Sequence, residues 1–324
     1  MKTKIYTIQT NLFVRSLSAV SKKDIVLAGG KGASLGELMR ARLPVPQGFV
    51  VLASAFERFL DEADVREDIE AQLAHVQYKD VNSVDRASNV IRELILEAPF
   101  PRDLREEVAR AFEGLKAPLV AVRSSATAED SKTASWAGEL ETYLNTTAKT
   151  LFLNIQKCWA SLFSPRAIFY RHEKNLHRSH VSVAVVVQEM IQSEVAGVAF
   201  TVHPVTKDKN QMIIEAAWGL GEAVVSGAIT PDSYVVHKDN LSFINLQVSE
   251  QKKQLVHGVR KSGNQWIPVS RPLQHKQKLT IHQIKTLSLL CLKAERHYKI
   301  PCDIEWTYAK NRFYILQSRP ITTL

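Results

Sequence analysis

The stretch DIEWTYAKNRFYILQSRPITTL, residues 303–324, consists of two apolar segments around a polar turn. Residues two apart in a β-strand point to the same face of the sheet. Asp303 and Glu305 therefore share a face of the first segment, and Gln317 and Arg319 share a face of the second. The stretch predicts a hairpin that carries two aligned pairs of polar side chains.

A turn near Lys310 and Asn311 would place Gln317 close to cross-strand register with Glu305, so that their oxygens could share one hard cation. Mg²⁺ in proteins typically takes one or two carboxylates together with phosphate oxygens. Arg319 would then stabilise the charge on a transferring phosphoryl group. A surface ladder of opposite charges on an antiparallel hairpin explains the same residues, and the stretch alone leaves both interpretations open.

The chain as a whole predicts mixed α and β structure in three approximate lobes, residues 1–116, 117–235 and 236–324. In the first lobe, residues 29–51 predict a glycine turn, a helix from about Lys31 to Arg40, a Pro-x-Pro break and a strand. The remainder of that lobe has apolar residues at helical spacing and predicts a helical cover.

The second lobe begins with a short buried strand and two helices that separate at Ser164. Four strand-like segments follow and predict a sheet in the middle third of the chain; they are residues 181–191, 196–202, 212–219 and 232–238. The last lobe predicts strand fragments, a helix from the N-cap Thr280 to about His297, and the closing hairpin.

The 324 residues are 45% apolar, as in ordinary globular proteins. The N-terminal residues lack the apolar core of a signal peptide, and the longest apolar stretch, residues 181–191, is too short to cross a bilayer. We therefore expect a cytoplasmic protein with no membrane partner. The three cysteines form no C-x-x-C pair, which indicates reduced packing residues rather than disulfides or a zinc site.

The net charge of +9 is unevenly distributed. Residues 236–324 contain 15 Lys and Arg residues but five Asp and Glu residues, whereas residues 1–235 are nearly neutral. Such a basic lobe could attract a nucleotide polyphosphate, an acidic partner or nucleic acid. Because the sequence contains no helix-turn-helix, RNA-recognition or zinc-finger signature, we expect no nucleic-acid partner.

Two stretches have the composition of phosphate-binding loops. GGKG at residues 29–32 combines adjacent glycines, a lysine and a following helix, although it is not a P-loop. In residues 121–142, Arg123 ends a buried strand and precedes small and hydroxylated residues, which is the composition of a lid that closes over an anion. A solvated helix-start turn and an ordinary exposed loop explain the same residues equally simply.

A buried strand runs into Gln188, Glu189, Met190 and Ile191, and a second strand follows. The pattern is similar to the hinge of nucleotide sites, where backbone groups read the adenine edge between apolar side chains. A hairpin in a core sheet explains the apolar residues equally well. WGLGEAVVSG, residues 218–227, fails as a dinucleotide motif because Val224 stands at its third glycine position, so we expect a turn that lines a cleft or links two strands.

Together these stretches resemble, in the right order, the ATP-binding domain of phosphoenolpyruvate synthase and its relatives, pyruvate phosphate dikinase and rifamycin phosphotransferase. The motifs that carry the resemblance are GGKGASLGEL and PVPQGFVV (29–51), RSSATAEDSKTASWAGELETYLN (123–145), QEMI with AGVAFTVHP (188–204), GLGEAVVSGAITPDSY (219–234), and DIEW with LQSRPIT (303–322).

The resemblance implies an ATP-grasp fold of α/β class, in which the nucleotide lies between lobes, with ATP and Mg²⁺ as cofactors. It implies that Lys31 and Arg123 contact the phosphates, and that Gly138 and Thr142 close a lid over them. By the same match, the remaining residues hold the adenine (Gln188, Glu189 and Ile191), bind Mg²⁺ (Glu305 and Gln317) and assist phosphoryl transfer (Arg319). Asp303 matches the D-x-E of the motif, but its role is left open.

Longer members of the family continue into a domain whose histidine accepts the phosphoryl group, and most of them add a pyruvate-binding barrel. No histidine here stands in such a motif, including His172, His177, His180 and His203. We therefore expect a phosphotransferase module that phosphorylates a histidine on a separate domain or protein. Three alternatives remain. The final acceptor could be different, such as a phenol or an antibiotic hydroxyl; the chain could be a nucleotide sensor without turnover; or it could be one domain of a longer protein.

Overall fold

The computed structural model describes residues 13–127, 140–174, 181–258 and 263–321. The strands are β1 Val14–Ser16, β2 Gly48–Val51, β3 Val120–Ala126, β4 Thr142–Thr146, β5 Val183–Glu189, β6 Val195–Phe200, β7 Gln211–Trp218, β8 Asp232–His237, β9 Phe243–Gln247, β10 Lys253–His257, β11 Asn264–Pro268, β12 Cys302–Ala309 and β13 Arg312–Pro320. The helices are α1 Ile25–Arg40, α2 Ala53–Glu62, α3 Arg66–Ala74, α4 Val81–Glu97, α5 Arg102–Leu115, α6 Leu151–Ala160, α7 Pro165–Glu173, α8 Glu222–Val225, α9 Arg271–Gln274 and α10 Ile281–Tyr298. The chain is therefore a mixed α and β protein, as expected.

Two sheets organise the described residues. The first has the strand order β1-β2-β5-β3-β4, and the second has the order β13-β12-β6-β7-β8-β9; β10 and β11 form a separate hairpin. Each sheet takes strands from two of the three approximate lobes (1–116, 117–235 and 236–324). The boundaries of those lobes therefore do not coincide with the boundary between the sheets.

The sheet predicted for the middle third is confirmed for three of the four segments, and the remaining segment belongs to the other sheet. β5 pairs with β2 and β3 in the first sheet, whereas β6, β7 and β8 lie next to one another in the second. All four segments are apolar runs of similar length, so periodicity alone cannot assign them to different sheets. The separation also excludes a hairpin between β5 and β6.

Helices α2 to α7 cover the outer face of the first sheet, as the apolar spacing of residues 54–115 and 147–174 predicts. Trp159 of α6 is fully buried there and packs against Phe56, Phe59 and Phe100, with ring centroids 4.9 to 5.6 Å apart. Such aromatic clusters stabilise a core beyond the area that they bury. No helix within the described ranges combines the length and the apolar character that crossing a membrane requires.

Helix α1 lies between the two sheets and contacts β3 and β5 on one side and β13 on the other. It begins at Ile25, earlier than the predicted Lys31, but Gly29 interrupts it with a φ of 68°. The regular helix therefore starts after the glycine turn and ends at Arg40, where it was expected. The second core, which includes Val186, Ile214 and Trp306, fills the space around this helix.

The basic last lobe also follows the sequence pattern. Thr280 caps α10 by accepting a hydrogen bond from the Gln283 amide, and the Gln283 side chain accepts one from the Thr280 amide, completing a capping box. The turn of the closing hairpin consists of Lys310 and Asn311, both with positive φ. The predicted position of that turn is confirmed.

Glu37 links α1 to α10. Its carboxylate accepts hydrogen bonds from the Lys22 amide and contacts His297 Nε2, both at 2.9 Å. Burial alone raises the pKa of Glu37, but these partners outweigh burial and hold the pKa below its usual value. Glu37 therefore stabilises the fold above its unfolded-state pKa, and this contribution is lost as the pH falls through the lowered folded-state pKa.

We expect Glu37→Gln to flatten the acid side of the stability profile and to cost about 1 kcal/mol near neutral pH. Urea unfolding between about pH 3 and pH 7 measures the effect. The exposed Glu113→Gln is the matched control. An unchanged slope on the acid side for Glu37→Gln would contradict this role.

Candidate active site

A cavity of about 400 Å³ opens between the two sheets, next to α1 and α8. Its lining includes every predicted site residue that the structure describes: Lys31, Arg123, Thr142, Gln188, Glu189, Ile191, Glu305, Gln317 and Arg319. Gly138 lies outside the described residues. Residues from four of the stretches that carry the family resemblance therefore converge on one space, while their roles toward a ligand stay predictions.

The glycine turn of α1 fits closely against the end of β3. Ser125 Oγ accepts a hydrogen bond from the Gly32 amide at 3.2 Å and donates one to the Ala28 carbonyl at 2.9 Å. Gly29 passes over the same residue with positive φ. This packing places the largely buried side chain of Lys31 at the cavity.

We expect Gly29→Ala to destabilise the protein by about 1–3 kcal/mol, because the left-handed φ strains an L-residue. The added Cβ would also overlap the carbonyl oxygen and Oγ of Ser125. Gly114→Ala is the control, since nothing lies within 4 Å of its Cβ position. Equal unfolding midpoints in urea for the two variants would show that the turn tolerates a side chain.

The segment after β5 passes from the first sheet to the second. The Glu189 amide donates to the Gln47 carbonyl at 2.8 Å, and the Met190 amide donates to the Leu119 carbonyl at 3.0 Å. Within the described part of the chain, the amide of Ile191 has no such backbone partner. The segment thus combines a fixed backbone with one open donor at the cavity, which fits a hinge and not the hairpin that remained possible from sequence.

The closing hairpin has the predicted register. Glu305 pairs directly with Gln317, and Asp303 pairs directly with Arg319, with a register shift between Glu305 and Trp306. Gln317 is only 3% exposed. These side chains line the cavity, so the alternative of a solvent-exposed charge ladder does not fit.

Arg123 extends from the first sheet to the Glu305–Gln317 pair. Its Nη2 donates to Gln317 Oε1 at 2.5 Å and to Glu305 Oε2 at 3.4 Å, and its Nη1 donates to the Leu316 carbonyl at 2.8 Å. Nη1 also lies 3.5 Å from Gln188 Oε1. The guanidinium therefore joins the two sheets and contacts the oxygens for which the sequence predicts a metal.

Asp303 lies beside this pair. Burial, reinforced by the neighbouring Glu305 carboxylate and opposed by Arg319, raises the pKa of Asp303 to about 6. Its Oδ1 is buried and accepts no hydrogen bond within the described part of the chain. Carboxylate and amide oxygens are ligands that suit Mg²⁺, and this buried oxygen adds a third acceptor on the same face of the hairpin.

The described ranges contain no group of three His, Cys, Asp or Glu residues arranged to hold a metal ion. Glu305 and Gln317 alone would leave most of the coordination shell of Mg²⁺ to other oxygens. Mg²⁺ commonly retains waters and binds substrate phosphates in such sites. The donor set therefore fits an ion that arrives with a nucleotide better than a resident ion.

The cavity also contains residues to which the sequence assigned no role. Leu220, Gly221, Glu222 and Val225 line it from the turn and helix of the WGLGEAVVSG stretch, and Trp306 lines it from β12. For that stretch the sequence predicts a turn that lines a cleft or links two strands, and the structure shows that it lines the cavity. No pattern in the sequence singles out Trp306, because its alternation matches a core residue.

A chain of polar side chains lies next to the cavity. Asn145 Nδ2 donates to Asn264 Oδ1 at 2.6 Å, Asn264 Nδ2 donates to Glu222 Oε2 at 2.7 Å, and Gln192 Nε2 donates to Asn145 Oδ1 at 2.8 Å. These contacts connect β4, the β11 hairpin, α8 and the hinge. They fix the relative position of elements that lie far apart in sequence.

Comparison with known proteins finds matches over nearly the whole chain. Residues 25–324 match the model of the pyruvate phosphate dikinase AMP/ATP-binding domain. The chain is 43% identical over 319 residues to a probable phosphoenolpyruvate synthase of Methanocaldococcus jannaschii. That match includes 96% of this chain and 27% of the length of the relative. It is 43% identical over 314 residues to a probable phosphoenolpyruvate synthase of Archaeoglobus fulgidus, a match that includes 95% of this chain and 41% of that relative.

A third relative is named for a different activity. The chain is 37% identical over 314 residues to the rifampicin phosphotransferase of Bacillus subtilis, with coverages of 96% and 36%. The chain thus spans between about a quarter and two fifths of the length of these three relatives. Because the family model matches nearly all of it, the chain belongs to the family of pyruvate phosphate dikinase AMP/ATP-binding domains.

Proposed function

We propose that residues 1–324 form one ATP-grasp module that binds ATP with Mg²⁺ in the cavity between the two sheets. It transfers a phosphoryl group to a histidine on a separate domain or subunit. AMP is released, and water takes up the remaining phosphoryl group as phosphate. The observation that carries the proposal is the Arg123 guanidinium, which meets Glu305 and Gln317 in the cavity that Lys31 and the hinge also line.

In this proposal, each predicted site residue that the structure describes has a role that is compatible with its position at the cavity. Gln188, Glu189 and Ile191 hold the adenine, with the Ile191 amide as the open backbone donor at the cavity. Lys31 and Arg123 bind the phosphates, and Thr142, together with Gly138, closes over them. Arg319 stabilises the charge that develops on the transferring group.

Glu305 and Gln317 would hold Mg²⁺, which neutralises phosphate charge during transfer. If these two oxygens held Mg²⁺, Arg123 Nη2 would pair with a phosphate oxygen instead, which is a favourable partner for a guanidinium. Before ATP binds, Arg123 keeps the Glu305 carboxylate compensated in its partly buried position. ATP and metal binding are therefore coupled through this side chain.

The test uses the purified chain with ATP, Mg²⁺ and a histidine-bearing domain from a longer relative. We expect stoichiometric AMP and an acid-labile phosphoprotein. The control is the ATP-binding domain of the same longer relative, which should phosphorylate that acceptor. If the control succeeds but this chain produces neither AMP nor phosphoprotein, the proposal is contradicted. Binding of ATP without AMP formation would instead support the alternative of a nucleotide sensor.

The same assay can test a second final acceptor. The reason to test it is that this chain is 37% identical to the rifampicin phosphotransferase over nearly its whole length. In that case the phosphohistidine would pass its phosphoryl group to a hydroxyl, as a phenol or antibiotic provides. Adding pyruvate or rifampicin together with the domain that binds that acceptor distinguishes the two products. The choice depends on residues beyond the ATP module and leaves the roles within the cavity unchanged.

A further inference from the structure

A second cavity, of about 530 Å³, lies in the helical cover of the first sheet. Helices α2, α3 and α7 and the short turn Ser161–Phe163 surround it. Its walls include Phe56, Leu60, Phe163 and Ile168. The active-site cavity faces the other side of the same sheet, so the two spaces are separate, and the volume of the second falls in the range of ordinary small-molecule sites.

Arg171 of α7 lines this largely apolar cavity, together with the charged side chains of Glu57, Arg66 and Glu70. Within the described ranges its buried Nε makes no hydrogen bond and its guanidinium forms no ion pair. Even a partly buried cation without a counter-charge is costly, and an unsatisfied buried polar atom in a folded protein calls for an explanation. Burial accordingly lowers the pKa of Arg171, with Tyr78 opposing the shift.

The other charged groups of the lining do not compensate Arg171. Arg66 is already paired, with Glu57 Oε2 at 2.9 Å and Asp61 Oδ1 at 2.7 Å. Glu70 is exposed and makes no ion pair with Arg171. One cation of the cavity is thus neutralised within the protein, whereas the other lies partly buried against apolar walls.

We propose that this cavity binds an arylalkyl carboxylate, whose apolar body fills the space between the helices and whose carboxylate pairs with Arg171. A guanidinium donates two parallel hydrogen bonds to a carboxylate. A phosphate dianion fits less well, because Arg66 is committed to Glu57 and Asp61 and a single cation would face two charges. Aromatic side chains in the wall, such as Phe56 and Phe163, favour an aromatic body.

Calorimetric titration of the full chain with 4-phenylbutyrate tests the site, with ATP present to occupy the active-site cavity. The matched neutral probe is 4-phenylbutan-1-ol, which has the same apolar body. We expect the acid to bind at least about tenfold more tightly than the alcohol, and Arg171→Gln to lose about tenfold in affinity for the acid only.

Arg110→Gln on the exposed face of α5 is the control and should bind as the wild type does. Leu73→Trp, a partly buried wall position, should block both probes without removing the charge. Equal affinity for acid and alcohol, unchanged binding by Arg171→Gln, or no heat of binding at about 5 mM acid would each overturn the proposal. The stability of Arg171→Gln without ligand provides an independent readout, because removing an uncompensated, partly buried charge should leave the empty protein at least as stable.

Discussion

Replacing Glu305 with Gln is expected to reduce AMP formation and acceptor phosphorylation by at least about a hundredfold. The substitution keeps the size of the side chain and one oxygen, so Arg123 retains a hydrogen-bond acceptor on the hairpin. It removes the negative charge that would hold Mg²⁺ opposite Gln317. The fold should therefore survive while the transfer step fails.

Nucleotide affinity separates this outcome from a general loss of the site. We expect AMP, which has a single phosphate and little need of the metal, to bind Glu305→Gln within about threefold of wild type, because the hinge contacts are unchanged. The Mg²⁺ concentration that gives half-maximal turnover should rise. Titration of AMP by calorimetry and of Mg²⁺ by the AMP-release assay measures the two effects.

The exposed Glu113→Gln is the matched control and should retain full activity. If Glu305→Gln transferred phosphate at a rate within about fivefold of wild type with an unchanged Mg²⁺ requirement, Glu305 would not be a metal ligand. In that case the contact with Arg123 would be the sole function of the carboxylate. A loss of AMP binding in parallel with activity would point to a misfolded site.

The closing hairpin shows how far sequence can predict this site. Its alternation and its turn at Lys310 and Asn311 determine that Glu305 meets Gln317, because both depend on local backbone geometry. The cap at Thr280 and the helix after it are local in the same sense. These features were correct to within a residue or two.

The contact of Arg123 could not be predicted in the same way. Arg123 and Glu305 lie 182 positions apart, and their meeting depends on how the two sheets pack around α1. The assignment of β5 and β6 to different sheets is equally non-local, since both are apolar strands that could have paired with each other. The second cavity depends on the packing of several helices, and nothing in the spacing of Arg171 marks it.

A second large effect, on stability, is expected from substitution of Asp232, a residue to which the sequence assigns no role in catalysis. Its carboxylate is fully buried and forms an ion pair with Lys278 Nζ at 2.7 Å, also fully buried. It accepts further hydrogen bonds from the Lys278 and Ser249 amides, both at 2.9 Å, and from the Tyr234 hydroxyl at 2.6 Å. Burial, together with this carboxylate, raises the pKa of Tyr234, so the hydroxyl remains a donor.

Asp232→Asn should destabilise the protein by about 3–5 kcal/mol, because it leaves the Lys278 cation buried without a counter-charge. An amide nitrogen would also face donors where the carboxylate oxygens now accept. Urea unfolding with Asp239→Asn, an exposed position just after the same strand, as control measures the difference. A loss below about 1 kcal/mol would contradict the role of the pair.

The double variant Asp232→Asn with Lys278→Met distinguishes a charge effect from a packing effect. If the buried cation is the main cost, removing it should recover part of the stability, so the double variant should be less destabilised than the sum of the single changes. Full recovery is not expected, since the Ser249 amide and the Tyr234 hydroxyl would still lack a carboxylate acceptor.

The ion pair of Asp232 with Lys278 attaches the loop before α10 to strand β8. Helix α10 in turn packs against β12 and β13, the strands that carry Glu305 and Gln317. The stability of this buried pair therefore supports the geometry of the candidate metal site from a distance.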